Sequence, residues 1–451
     1  MTVFNKISNV LSPHIFVPIY NYLKKDHRAK YVNIIEEFNK KSLDEIRNYQ
    51  LNRIRIIADY AFRTTKYYKI LFEEIGIHDP VHLTWDDFFR IPLLTKDIIR
   101  KEQESLLSNN WIEKDLRRTA TGGTTSSPVP FFSDWDSMYR KRSATIAFDK
   151  WLGYRPGDTI VYLWQARQDM LNLIGYKQKI INQLVHRHTF LPGSPLDDIV
   201  LEKYYHIFKK KQPFILQAYP NPLEIFAKYL EKSGYVVNVP VISSTAEPLS
   251  EHQRRLFEKV FGGKVYNWYG AREAGRISTE CVYHDGMHIN AHCLHLETKQ
   301  GGYVKDKLGS IVLTDLWNTG MPLIRYEIGD LGIVSDSVCQ CGCELPRLME
   351  MVGRVSDTFV NSRQQKIPGV WFPNQFVKDS KEIKEMQIIQ HDIGKFEIVV
   401  VPGVDYSVET EKWLKVRLDE FMLEDNIIKI TLVTEIPRET SGKIRVCKNL
   451  L

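Results

Sequence analysis

Thr159-Ile160-Val161-Tyr162-Leu163-Trp164 is a run of β-branched and aromatic residues of strand length, and it reads as a buried strand. Its neighbours along the chain decide the fold. Phe214-Ile215-Leu216-Gln217-Ala218-Tyr219 is a second run of the same kind. Asn221 to Glu231 carries helical spacing, Val236 to Ile242 reads as strand, Leu249 to Phe261 as helix, and Val265-Tyr266-Asn267-Trp268-Tyr269 as a further strand. Strand–helix alternation of this kind predicts an α/β sheet with helices on both faces. Upstream, residues from about 30 to 110 have apolar side chains every three or four positions, as from Glu45 to Phe62, and are expected to be helical. Downstream, the segment from about 287 to 335 is β-rich, with Ser310-Ile311-Val312-Leu313-Thr314 its clearest strand. After Gly353 short strands (Thr358 to Val360, Phe396 to Val401, Ile427 to Val433) flank expected helices (Asp379 to Met386, Val408 to Phe421). The predicted organisation is a large α/β domain over residues 1–353 and a small α+β domain over 354–451, joined at Gly353-Arg354-Val355-Ser356-Asp357.

A chain of 451 residues with 43% apolar content can bury a large core and is long for one domain. The net charge of +6 is modest, and Lys and Arg are dispersed, with no basic arm of the kind that binds nucleic acid. No apolar stretch is long enough to span a bilayer. The opening residues lack an apolar core and a cleavage site, so no signal peptide is expected and the predicted location is cytoplasmic. Val10 to Leu23 is apolar, but two prolines interrupt it and it is expected to pack on the protein body. In that setting the six cysteines are not expected to form a disulfide framework.

Four short segments carry candidate chemistry. The first is the loop Thr119-Ala120-Thr121-Gly122-Gly123-Thr124-Thr125-Ser126-Ser127-Pro128, in which small residues free backbone N–H groups to close around phosphate and hydroxyls add donors. It has no lysine, unlike the G-x-x-x-x-G-K-[ST] phosphate loop, which argues against a phosphotransferase of that type. The second is Trp268-Tyr269-Gly270-Ala271-Arg272-Glu273, where a strand end turns into a carboxylate suited to Mg²⁺. The third is Arg325-Tyr326-Glu327-Ile328-Gly329-Asp330, whose aspartate suits ribose hydroxyls. The fourth is Pro437-Arg438-Glu439-Thr440-Ser441-Gly442-Lys443-Ile444.

In this order and spacing the segments resemble the adenylate-forming superfamily of acyl-CoA ligases, luciferases and peptide-synthetase adenylation domains. Within it the chain is most similar to the phenylacetate–CoA ligase branch, which includes CapK-like proteins of capsule biosynthesis. Tyr67-Tyr68 with Ile91-Pro92-Leu93-Leu94-Thr95-Lys96, Ser244-Thr245-Ala246-Glu247-Pro248-Leu249, and Gly353-Arg354 extend the resemblance over nearly the whole chain. The resemblance implies ATP-dependent activation of a carboxylic acid to an acyl-adenylate, with pyrophosphate released. The acyl group then passes to a thiol of CoA or a carrier, or to an amine or hydroxyl acceptor, and polysaccharide assembly is one such setting. It implies that Thr121, Gly122, Gly123, Thr124 and Thr125 cradle phosphates. Ser244, Ala246, Glu247, Pro248, Tyr269 and Gly270 would line the nucleotide pocket, and Glu273 would hold Mg²⁺. Asp330 and Arg354 would bind ribose, and Lys443 would bridge carboxylate and α-phosphate, with Lys443, Glu273 and Thr124 catalytic. Ser126 stands where the family has Gly, and Ser356 where its hinge has Asp or Lys.

Cys281-Val282-Tyr283-His284 and Cys339-Gln340-Cys341 offer three thiols and an imidazole, a donor set for tetrahedral structural Zn²⁺. His288 is the alternative to His284, and Cys343 to Cys341; the competing reading is free buried thiols with His284 at the surface. The acyl pocket is expected from Trp164, Gln165, Tyr219, Asn221 and the turn 243–246, with Trp268 and Tyr269 opposite. Arg167, Asp169, His186 and His188 are candidates to read a polar group on the acid. A second class of function, a catalytically silent nucleotide-binding scaffold, is disfavoured because Glu273, Asp330, Arg354 and Lys443 are all retained.

Overall fold

The computed structural model describes residues 12–24, 28–120, 129–164, 181, 185, 187–299, 306–354, 358–364, 366–368, 382–437 and 446–451. Packing divides the chain into two units. The first comprises Met1–Glu297, Val312–Tyr326 and Val334–Met349, and the second Thr298–Ile311, Glu327–Ile333 and Glu350–Leu451. The second unit thus includes two short stretches that precede Gly353.

The first unit is built on seven strands of an eleven-stranded sheet: β1 (Ile160–Trp164), β2 (His188–Pro192), β3 (Ile215–Ala218), β4 (Val241–Thr245), β5 (Lys264–Ala271), β6 (Gly275–Glu280) and β7 (Met287–Ile289). Their order is β7-β6-β5-β4-β3-β1-β2. The five strands from β1 to β5 are parallel, and β6 and β7 return antiparallel. Parallel strands need crossovers, and three helices supply them: α3 (Asp198–Lys211), α4 (Pro220–Ser233) and α5 (Glu251–Phe261). Their boundaries follow local chemistry. Asp197 caps α3, Pro220 opens α4, and Ser250 with Gln253 forms a capping box on α5.

Alternation along each strand sorts the two faces. Val161, Leu216, Ile242 and Val265 pack with Tyr204, Phe226 and Phe257 of the crossover helices. Ile160, Ile215, Val241 and Tyr266 face the other way and meet Leu152 and Tyr154, just beyond helix α2 (Trp135–Trp151). Helix α1 (Leu43–Thr64), opened by the Ser42–Glu45 capping box, buries Ile46, Ile54, Ile57 and Ala61. Val236 to Ile242 does not form one strand: only Val241–Thr245 pairs, while Val237 and Val239 are buried ahead of Pro240 without joining the ladder.

In the second unit β8 (Ile383–Asp392), β9 (Lys395–Pro402), β10 (Ile427–Leu432) and β11 (Cys447–Asn449) form a sheet in the order β10-β9-β8-β11. Helix α6 (Val408–Met422) covers it with Leu414, Leu418 and Met422. The helix expected from Asp379 to Met386 is corrected here. Ile383 onward is strand, paired with β9 and β11, and Ile383, Met386 and Ile388 enter the core. The apolar spacing suited either period, and the long-range pairing decided it.

Candidate active site

Strand β5 ends in a turn, Arg272 to Ala274, before β6 reverses direction. Gly270 lies where a Cβ would sit 2.5 Å from the Gly275 carbonyl oxygen and 2.7 Å from the Trp268 ring, so only glycine fits. The turn presents Glu273, which is 6% exposed. Its carboxylate accepts a hydrogen bond from the Tyr326 hydroxyl at 3.0 Å. Its main-chain carbonyl accepts one from Lys141 Nζ, also at 3.0 Å. Lys141, on α2, pairs in turn with Asp315 at 2.5 Å, and both are buried. A hydrogen bond to a charged group contributes about 1.5–3 kcal/mol, so the turn is fixed from two sides. Sequence reasoning gave no role to Lys141, Asp315 or Tyr326. The first is the first lysine after the Gly/Thr loop and the last lies inside the Arg325–Asp330 segment, but neither position announces its partner.

The Gly/Thr loop residues Thr121, Gly122, Gly123, Thr124 and Thr125 lie outside the described residues. The strands that flank them are described: Arg117–Ala120 pairs with Pro130–Ser133, Ala120 opposite Pro130. Arg272 donates to the Ala120 carbonyl at 3.4 Å, and Phe131 stacks edge-on to Tyr326 at 5.5 Å. The base of the loop is therefore held against the two residues that flank and orient Glu273.

The C-terminal ends of β4 and β5 carry the next cluster. Ser243 and Ser244 are buried, yet neither hydroxyl has a hydrogen-bond partner among the described residues, and the same holds for Trp268 Nε1. Buried polar atoms are nearly always paired, so these three groups stand out at the carboxyl end of the strands. Ala246 follows with φ of 69°, a left-handed conformation costly for a residue with a Cβ. Glu247 accepts from the Asn221 backbone N–H at 3.2 Å. Trp164 and Tyr219 rings meet at 4.8 Å, and His188 lies 5.1 Å from Tyr162. Below Trp268, Arg276 stacks at 4.7 Å and bonds Asp149 at 2.7 Å. Burial pushes the Asp149 carboxyl above its ordinary range against the opposing pull of Arg276. Gln165, Arg167, Asp169, His186 and Lys443 lie outside the described residues. Asp330 lies on the strand Tyr326–Ser335 and is partly exposed; Arg354 ends the strand Arg347–Arg354. Both belong to the second unit.

The cysteines form a separate cluster. Cys281 follows β6, His288 is the middle residue of β7, and Cys339 and Cys341 share a turn closed by Gly342. Cys281 and Cys339 sulfurs are 3.7 Å apart, and Cys341 Sγ is 3.4 Å from His288 Nε2. All four donor atoms lie within 4.8 Å of one another. The sulfurs are too far apart for a disulfide, whose S–S length is about 2.05 Å. A tetrahedral zinc with Zn–S of about 2.3 Å would separate its sulfurs by roughly 3.8 Å, close to the spacing found. Burial lowers the His288 imidazole to about 4, which keeps it in the neutral, ligating form. The histidine in this cluster is His288, the alternative to His284. His284 is instead engaged by the Glu280 carboxylate at 3.0 Å and by Arg254 at 3.1 Å. Cys343, the alternative to Cys341, points instead to the Asn39 carbonyl at 3.5 Å.

Comparison with known proteins bears on family and fold. Residues 359–450 match the family described as the CapK C-terminal domain. Protein CapK of Staphylococcus aureus is 23% identical over 453 aligned positions, covering 95% of this chain and 94% of that protein. The phenylacetate-coenzyme A ligase of Thermus thermophilus is 25% identical, over 70% of this chain and 72% of the relative. Among solved structures, 2-hydroxyisobutyryl-CoA ligase in the postadenylation state, in complex with 2-HIB-AMP, superposes with a TM-score of 0.71 at 17% identity, covering 90% of each chain.

Proposed function

Because the chain is a homologue of CapK and the phenylacetate–CoA ligases and has the fold of the adenylate-forming acyl-CoA ligases, we propose that it activates a carboxylic acid with ATP. The observation that carries this reading is the buried Glu273, its carboxylate held by Tyr326 and its main-chain carbonyl by Lys141, at the carboxyl edge of the parallel sheet, beside the base of the Gly/Thr loop. Ligands of open α/β sheets bind at that edge.

In the proposed reaction a carboxylate oxygen of the substrate forms a bond to the α-phosphorus of ATP. The bond from that phosphorus to the bridging oxygen breaks, and pyrophosphate leaves with the electron pair. Two anions approach each other, so preorganised donors and cations have to offset the charge as it develops. In this reading the loop from Thr121 to Thr125 supplies backbone N–H groups and hydroxyls to the departing phosphates. Glu273 is the ligand for Mg²⁺, which neutralises phosphate charge when bound. Ser244 to Pro248, with Tyr269 and Gly270, line the adenine side, and Asp330 and Arg354 serve the ribose. Lys443 serves as a charge-assisted donor between carboxylate and α-phosphate. Trp164, Tyr219 and Trp268 wall the acyl side, with the Ser243 hydroxyl and Trp268 Nε1 available to a polar group on the acid.

The acyl carbon then forms a bond to the sulfur of CoA or a carrier thiol, or to an amine or hydroxyl acceptor, as its bond to the AMP oxygen breaks and AMP leaves; polysaccharide assembly is one such setting. Cys281, His288, Cys339 and Cys341 are assigned to a structural zinc, supported by their donor chemistry and spacing. Carboxylate-dependent exchange of pyrophosphate into ATP, run over aryl, amino and hydroxy acids, tests the proposal. Exchange with one class identifies the substrate, and no exchange with any of them leaves a nucleotide-binding scaffold.

A further inference from the structure

The opposite end of the same sheet carries a second cavity, of about 460 Å³. It opens where β1, β3 and β4 begin. Strand β1 spans five residues from this end to the Trp164 edge, roughly 15 Å. Four cations line it: Arg187 from the segment before β2, and Lys209, Lys210 and Lys211 from the last turn of α3. Its other walls mix apolar residues, Phe208, Phe214 and Pro240 among them, with polar ones that include Asp158, Thr159 and Gln212.

Arg187 is the informative residue. It is 8% exposed and has φ of 55°. Its guanidinium donates to the Gly157 carbonyl at 2.6 Å and to the Thr159 hydroxyl at 2.9 Å. Among the described residues, no carboxylate lies within ion-pair distance of it. The other buried arginines differ: Arg276 is paired with Asp149, Arg325 with Glu297, and Arg347 with Asp285. Asp158, which also lines the cavity, accepts the Arg155 backbone N–H at 2.7 Å and attracts the Arg187 guanidinium from beyond ion-pair distance. Lys209 and Lys211 also form no ion pair with a described residue, and burial, Lys210 and Arg187 together depress the Lys211 amine. Lysines in a last helical turn are explained by the helix dipole alone. That does not explain a buried, strained arginine from another segment converging on them.

We infer that this cavity binds a phosphate monoester bearing an apolar or aromatic group. The phosphoryl oxygens would take the Arg187 fork and the lysine ammonium groups, and the apolar moiety would lie against Phe208, Phe214 and Pro240. The site is separate from the one proposed for ATP and does not depend on that proposal. A ligand that binds only the native state also raises its stability by mass action.

Phenyl phosphate is the probe, titrated calorimetrically into the full chain, with benzoate and inorganic phosphate in parallel. The expected result is saturable binding of one phenyl phosphate per chain, weaker binding of inorganic phosphate, and none of benzoate at this site. In Lys209→Gln/Lys210→Gln, which removes two exposed cations from the last turn of α3 without placing a carboxylate at the helix C-terminus, the affinity for phenyl phosphate falls at least about tenfold. Pyrophosphate exchange and the melting temperature stay as in the wild type. Arg187→Gln lowers the affinity by a similar factor where it folds. Equal binding by wild type and the double variant, or no binding by either, overturns the assignment. Vesicles of phosphatidylglycerol in phosphatidylcholine distinguish a lipid headgroup from a soluble ester. Lysine-dependent vesicle binding without phenyl phosphate binding overturns the soluble-ester assignment.

Discussion

The Tyr326 hydroxyl donates to the Glu273 carboxylate at 3.0 Å, with the tyrosine fully buried and the glutamate nearly so. The two residues are 53 positions apart in sequence, and the contact ties the carboxylate to the segment that continues to Asp330. The ring is held independently by Phe131. Tyr326→Phe should therefore keep the fold while loosening the carboxylate. The expected outcome is a melting temperature lowered by a few degrees at most, with pyrophosphate exchange reduced about tenfold, corresponding to one lost hydrogen bond to a charged group.

Lys443→Ala should lower the adenylation rate by roughly 10²–10³, the range for removing one preorganised donor. Single-turnover measurement of adenylate formation checks this. A variant that forms adenylate at the wild-type rate removes the lysine from the mechanism.

Arg325 is fully buried and clamps three chain segments. It pairs with Glu297 through two nitrogens and donates to the carbonyls of Phe89 and Ile91, while its own carbonyl accepts the Leu94 N–H. Arg325→Met takes the guanidinium away from the buried Glu297 carboxylate and should cost about 3–5 kcal/mol. Adding Glu297→Leu should recover much of that loss, because the buried charge that faced Arg325 is gone. Urea denaturation of both variants measures it.

Elemental analysis of untreated protein should find one zinc per chain. His288→Ala should lose the metal and destabilise the protein, since a structural site contributes its binding energy to folding. His284→Ala should keep the metal. Zinc lost from the His284 variant and kept by the His288 variant would reverse the assignment.

His292 sits in an aromatic stack with Tyr49 and Trp317, and burial, with Arg140 and Arg53, lowers its imidazole to about 3. In the unfolded chain it titrates near the ordinary 6.5. Between these values the unfolded state holds more protons than the native one, so stability falls as pH drops below 6.5. The loss attributable to this residue is about 2 kcal/mol at pH 5. His292→Phe preserves the stack and should flatten the acid limb of a urea-midpoint profile.

The parallel strands were legible because strands buried on both faces read as unbroken apolar runs bounded by turns, as at Ile160–Trp164 and Ile215–Ala218. Strand Ile383–Asp392 was not, because its apolar positions fit a helix as well as a strand and only pairing with two neighbours settles the period. The choice between His284 and His288 could not be made from spacing. The antiparallel register of β6 and β7, with Thr279 opposite His288, turns His288 toward the thiols, while Glu280 holds His284 elsewhere. Glu273 was readable as the carboxylate at a strand end. Lys141 and Asp315 were not, since a buried lysine pairing across 174 residues has no local signature.

The most direct measurement is Mg²⁺-dependent exchange of labelled pyrophosphate into ATP, by wild type and Glu273→Gln, across a panel of carboxylic acids. Wild type should show exchange that requires one class of acid, and Glu273→Gln should lower it by roughly 10²–10³. Exchange that is absent with every acid while ATP still binds, or that survives undiminished in Glu273→Gln, contradicts the account.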